Sequence, residues 1–90
     1  MDDSEDRRRR RLLYRSTHRG TREADFILGG FAKAHLAAMS AEEMRWFEGL
    51  LEESDPDLMG WIGGTGAPPE QYDTDLFRLI VKFRYSQSKN

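Results

Sequence analysis

The sequence predicts an all-α fold, a compact five-helix bundle forming a single small domain. Apolar residues recur at three- and four-residue intervals over most of the chain, the period of a one-sided helix. β-branched residues are sparse, and no stretch alternates apolar and polar over strand length. Capping residues, prolines and glycines fall between the periodic segments, where helices start and stop. Ninety residues make one domain. A chain of that size buries only about 60–65% of the surface its unfolded form exposes. Its core must therefore come from few large side chains, and five Phe, two Trp, three Tyr and four Met supply them. We divide the chain into a charged N-terminal arm over 1–11 leading into the first helix, a helical domain over 12–85 and a flexible C-terminal tail over 86–90.

The first helix is expected from about Asp6 to His18, with Leu12, Leu13 and Tyr14 as its apolar contacts. Gly20 stops it, because glycine enters the left-handed region without steric cost. The second helix runs from about Thr21 to Ala38, where Ala24, Ile27, Leu28, Phe31 and Ala38 define one buried stripe. Gly29 and Gly30 interrupt that helix at about 1 kcal/mol each against alanine, which close packing of a neighbouring helix would explain.

Ser40-Ala41-Glu42-Glu43 is a capping box that opens a third helix ending near Glu53. Met44, Phe47 and Leu51 form its inner face with Leu50 beside them, and Trp46 falls off that line. Asp55-Pro56-Asp57 opens a short fourth helix, with Asp55 as N-cap, Pro56 at the first helical position and Asp57 complementing the dipole. Leu58, Trp61 and Ile62 face inward; if the Trp61 indole is fully buried, truncation to alanine costs about 3–5 kcal/mol. Residues 63–69 are a loop by composition. The last helix spans about Gln71 to Tyr85, with Leu76, Leu79, Ile80 and Phe83 buried, and Ser86 to Asn90 fray.

The net charge is −2, unevenly spread: Asp2, Asp3, Glu5 and Asp6 precede an unbroken Arg7 to Arg11. There is no cysteine, hence no disulfide and no thiolate metal site, which fits a reducing compartment. No apolar run approaches the roughly 20 residues of a membrane span. A mitochondrial transit peptide is basic and poor in acids, so the acidic opening favours a bacterial cytoplasmic protein, complete from Met1, over one of the mitochondrial matrix. His18 has no Ser, Cys or paired carboxylate placed by sequence to form an acid–base set with it. Nor do His18 and His35 match a zinc spacing. The glycines at 60–66 follow a short helix and end at Pro68-Pro69, so they are not the strand–turn–helix fingerprint of a dinucleotide site.

The surplus of charge lies in Arg19-Gly20-Thr21-Arg22-Glu23, at the junction of the first two helices. A junction needs a stop and a start, not two arginines beside an acid. Glu23 has a structural explanation: with Gly20 as N-cap it sits at the third helical position, its carboxylate reaching back to the Gly20 amide. Arg19 is explained either as a solvated helix end or as a planar donor set laid across a carboxylate or a carbonyl array of a partner. If these side chains serve a partner, Arg19→Ala and Glu23→Ala leave stability within about 1 kcal/mol of wild type.

Arg19-Gly20-x-x-Glu23 followed by Asp25 occurs together with Leu50-Leu51-Glu52, Asp55-Pro56-Asp57-Leu58 with Trp61, and Arg78-Leu79-Ile80. In this order and spacing these motifs resemble the small succinate dehydrogenase assembly factors that promote covalent FAD attachment, over residues 12–84. The glycine-rich loop and the long arginine run depart from the family pattern. The resemblance implies a five-helix domain without catalytic residues of its own and without a tightly bound cofactor. Its partner would be the flavoprotein subunit of succinate dehydrogenase, and by extension that of fumarate reductase, with no nucleic acid and no membrane span. The bond to the isoalloxazine ring would be made by the flavoprotein's own histidine. Carried over, the client-binding residues are Arg19, Gly20 and Glu23, with Asp25 joining by proximity and Thr21, Arg22 and Arg15 completing the segment. The alternative is a small helical adaptor or nucleic-acid-associated regulator using the arginine-rich first helix. The four acids before that run weaken counterion release at phosphates.

Overall fold

The computed structural model describes residues 3–87. Five α-helices, α1 (Asp3–Thr17), α2 (Arg22–His35), α3 (Ala41–Leu51), α4 (Asp55–Gly63) and α5 (Asp75–Gln87), account for most of them. Two 3₁₀ turns, Leu36–Ala38 and Glu70–Tyr72, lead into α3 and α5. There is no strand among the described residues. α2 is the central element: α1 lies along one side of it and α5 along another, α3 packs on α1, and α4 packs on α5.

Helix α1 begins at Asp3, so the arginine run is helical throughout. Arg8 forks onto Glu48 of α3 through Nε and Nη2, each at 2.7 Å. Arg9 donates to the Leu36 and Met39 carbonyls at 3.3 and 2.9 Å, satisfying backbone acceptors where α2 tightens into its 3₁₀ turn. At the other end, Ser86 and Gln87 belong to α5, and the expected fraying of 88–90 falls outside the described residues.

The stripe on α2 is buried at Ala24, Ile27, Leu28 and Phe31 but not at Ala38. The 3₁₀ turn rotates the chain there, so Leu36 and Met39 enter the core instead. Gly29 and Gly30 are close approaches: a Cβ at Gly29 would stand 2.7 Å from Thr17 Cγ2 of α1, and one at Gly30 2.5 Å from Phe83 Cζ of α5.

The Ser40 capping box forms as expected, with Ser40 Oγ accepting from the Glu43 amide and the Glu43 carboxylate accepting from the Ser40 amide. Met44, Phe47, Leu50 and Leu51 are buried, and Trp46 is half-buried beside Phe47. α4 is capped by Ser54 rather than Asp55: Ser54 Oγ accepts from the Asp57 amide. Leu58 and Ile62 are buried, while Trp61 is half-buried and stacked on Tyr72. The expected loss on truncating Trp61 accordingly falls to about 2 kcal/mol.

The inner face of α5 differs from expectation. Phe77 and Ile80 are buried, Leu76 and Phe83 are half-buried, and Leu79 is exposed. The helix starts later than the composition suggests, because Gln71 and Tyr72 form the preceding 3₁₀ turn and the Thr74 hydroxyl accepts from the Phe77 amide. Tyr72 is buried, donates toward the Gly49 carbonyl and Glu53 Oε2, each at 3.0 Å, and has its hydroxyl pKa pushed up by that burial.

Candidate functional site

The corner between α1 and α2 is built by side chains that finish one helix and by a glycine that reverses the chain. Ser16 and Thr17 hydroxyls both donate to the Leu13 carbonyl at 2.9 Å. His18 Nδ1 lies 2.8 Å from the Tyr14 carbonyl, its ring stacked on Tyr14. These contacts place side chains on the Leu13 and Tyr14 carbonyls near the end of α1 and give His18 a local structural role. Gly20 then takes φ +100°, where an L side chain is strained, although a Cβ there would meet nothing within 4 Å. Thr21 is extended and is the N-cap of α2, without a side-chain capping bond.

This geometry changes the reading of Glu23. With Thr21 as N-cap, Glu23 falls at the second helical position and makes no capping bond to Gly20; it is exposed and in no ion pair among the described residues. The carboxylate that holds the turn is that of Asp25, which accepts from the Arg19 backbone amide.

Arg19 turns inward. Its Nε donates to Asp55 Oδ1 at 2.8 Å, Nη1 to the Leu51 carbonyl and Nη2 to the Glu53 carbonyl at 2.8 Å. Its planar donor set does lie across a carboxylate and a carbonyl array, as its chemistry suggests, but those acceptors are the end of α3 and the start of α4. The two side chains retain 11% and 13% of their accessible surface, so the pair is largely desolvated. Thr21 Oγ1 approaches the second Asp55 oxygen at 3.5 Å. Arg15 pairs with Glu52 at 2.7 Å, so Arg8, Arg15 and Arg19 meet Glu48, Glu52 and Asp55 in the same order along both segments. The hydrogen bonds from Arg8 hold the Glu48 carboxyl below its usual range, and the same contact raises Arg8.

The seven residues of the candidate site therefore divide. Arg15, Arg19 and Asp25 are engaged with their own chain, whereas Gly20, Thr21, Arg22 and Glu23 are exposed at the tip. A shallow groove runs from that tip along α2, lined by Thr17, Gly20, Thr21, Arg22, Asp25, Phe26 and Lys33. Phe26, absent from the sequence-based set, is 57% exposed. The signal was present, since position 26 lies off the Ala24–Ile27–Leu28–Phe31 stripe.

Residues 10–84, which include the whole corner, match the family described as flavinator of succinate dehydrogenase. The chain belongs to this family. Among its relatives as a flavinator family member, the FAD assembly factor SdhE of Acetobacter pasteurianus is 44% identical over 75 residues, 83% of this chain and 69% of that protein. The mitochondrial succinate dehydrogenase assembly factor 2 of Dictyostelium discoideum is 35% identical over 80% of this chain and 51% of its own length. That of Komagataella phaffii is 48% identical over 67% of this chain and 32% of its own. The chain thus spans about two thirds of the Acetobacter relative, half of the Dictyostelium one and a third of the Komagataella one. Among the described residues of this flavinator family member, no three His, Asp or Glu side chains gather as a metal site. No helix among them is long and apolar enough to cross a membrane.

Proposed function

We propose that this chain is an assembly factor that binds the flavoprotein subunit of succinate dehydrogenase in the bacterial cytoplasm and promotes covalent attachment of FAD to it. The observation that carries this reading is the exposed Gly20–Glu23 tip, where Arg22 and Glu23 have no ion-pair partner among the described residues while the charges around them are spent internally. Family membership and the identity to the Acetobacter FAD assembly factor support it.

The client-facing set is Gly20, Thr21, Arg22 and Glu23, supported from beneath by Arg15, Arg19 and Asp25. The factor supplies binding energy and no proton transfer. Docking near the FAD cavity holds the mobile client domains so that the client histidine and the flavin ring stand in reach of each other. Such orientation is worth several kcal/mol, up to about 7–11 in the best intramolecular cases. Release requires that the immature client be bound better than the flavinylated one. The flavin belongs to the client throughout. Arg8 and Arg9, engaged with Glu48 and two carbonyls, are withdrawn from any nucleic-acid arm.

Capture of the protein from its own cells, with mass spectrometry of what it retains, tests the reading. It predicts one abundant partner, a flavoprotein subunit of succinate dehydrogenase that has not yet received its flavin bond, and the same experiment reports whether fumarate reductase is also a client. Retention of nucleic acid with no flavoprotein would contradict it.

A further inference from the structure

Phe26 lies one turn along α2 from Arg22 and Glu23 and finds no large apolar side chain three or four positions away on its own helix. Its neighbours on the N-terminal side are the charged Arg22 and Glu23, and those on the C-terminal side, three and four residues on, are Gly29 and Gly30, which offer no side chain. Those glycines are committed to other contacts, Gly29 to the approach of Thr17 and Gly30 to that of Phe83. The ring is left 57% exposed between two shallow grooves, one lined by Gly20, Arg22 and Lys33, the other by Glu23, Ile27, Arg84 and Gln87. Arg22, Lys33 and Arg84, from two helices, line these grooves together with Asp25 and Glu23; none of the three cations has an ion-pair partner among the described residues, and Asp25 is spent on the Arg19 amide. Arg8, Arg9, Arg15, Arg19 and Arg78 are ion-paired, whereas Arg7, Arg10, Arg11 and Arg45, which line neither groove, also form no ion pair among the described residues, so what marks Arg22, Lys33 and Arg84 is their place along the grooves beside Phe26.

We infer that Phe26 is the apolar anchor of the docking face, and that its occupant is a surface of the client flavoprotein with an apolar socket rimmed by carboxylates. The inference rests on the proposed function and extends its contact from the tip along α2 to the end of α5. An aromatic ring desolvated at the centre of an interface, ringed by polar contacts, is the usual form of a binding hot spot. Three unpaired cations along the two grooves outnumber the one unpaired acid there, Glu23, and so complement a mainly acidic rim, which would quicken encounter and set orientation.

The test uses the full-length protein and purified flavoprotein subunit produced without covalent flavin, with affinity measured at two salt concentrations. Phe26→Ala is expected to weaken binding about thirtyfold, and Phe26→Leu to retain most of it, with helical melts unchanged for both. Arg22→Glu with Arg84→Glu is expected to slow association about tenfold at low salt, the difference shrinking at high salt. If Phe26→Ala binds like wild type while Glu23→Ala binds weakly, the anchor is wrong and the docking corner stands. If both bind like wild type, the corner is wrong as well. If the double reversal associates as fast as wild type at low salt, the acidic rim is wrong.

Discussion

Truncating Arg19 to alanine would strand Asp55 with 13% of its surface exposed and leave the Leu51 and Glu53 carbonyls without their donor. The expected loss is about 3 kcal/mol in denaturant unfolding, because breaking a desolvated pair from one side leaves an uncompensated charge. That exceeds the roughly 1 kcal/mol the sequence suggested, and combining it with Asp55→Ala should recover part of the loss. Glu23→Ala should stay within about 0.5 kcal/mol of wild type, as an exposed substitution without partners. The two residues look alike in the sequence, each a charge within three positions of Gly20. Only the fold distinguishes them, since Asp55 and the end of α3 lie more than thirty positions away. Ser54 and Asp55 are both good caps, so local preference could not assign the cap; Ser54 takes it, and the Asp55 carboxylate is left for Arg19.

Packing of α2 against its neighbours makes the glycine pair a graded test. Alanine is the better helix former by about 1 kcal/mol at either position. At Gly29 that gain meets Thr17 Cγ2 at 2.7 Å, on a short side chain held by its bond to the Leu13 carbonyl. Gly29→Ala is therefore expected to lose about 1–2 kcal/mol, with Thr17→Ser relieving part of it. At Gly30 the obstacle is the tip of the half-buried Phe83 ring, which can tilt, so Gly30→Ala should lie within about 1 kcal/mol of wild type. Thermal melts of the three variants check the order. The α1–α3 contact carries a pH dependence. The Glu48 carboxyl is lowered by Arg8, so its contribution is present above its unfolded value near about 4.3 and is lost as pH falls through its lower folded value. Acid unfolding of Glu48→Gln should lack that component, whereas an unchanged profile would mean the fork adds nothing in solution. Element boundaries were legible where a local signal decides them, as at Gly20 and the Ser40 box. The inner face of α5 was not, because Leu76, Leu79, Ile80 and Phe83 keep helical period as well as Phe77 and Ile80 do, and only packing against α2 and α4 chooses between them.

For the whole molecule, the five helices and most of the core could be read from periodicity and caps, since a chain this small has few ways to bury its apolar side chains. The charged corner between α1 and α2 was legible too, as an excess of charge that a helix junction does not need. Its internal division was hidden, because a sequence shows which residues are charged and not which have found partners across the fold. That division shapes the proposed function: Arg19 holds the corner together, and Arg22 with Glu23 is proposed to present it to a client. The direct measurement is the yield of covalent flavin on the flavoprotein subunit, read by in-gel fluorescence in cells whose factor carries Glu23→Ala with Arg22→Ala. A large fall in yield is expected from a variant that melts like wild type. Normal yield from that variant would contradict the proposed function.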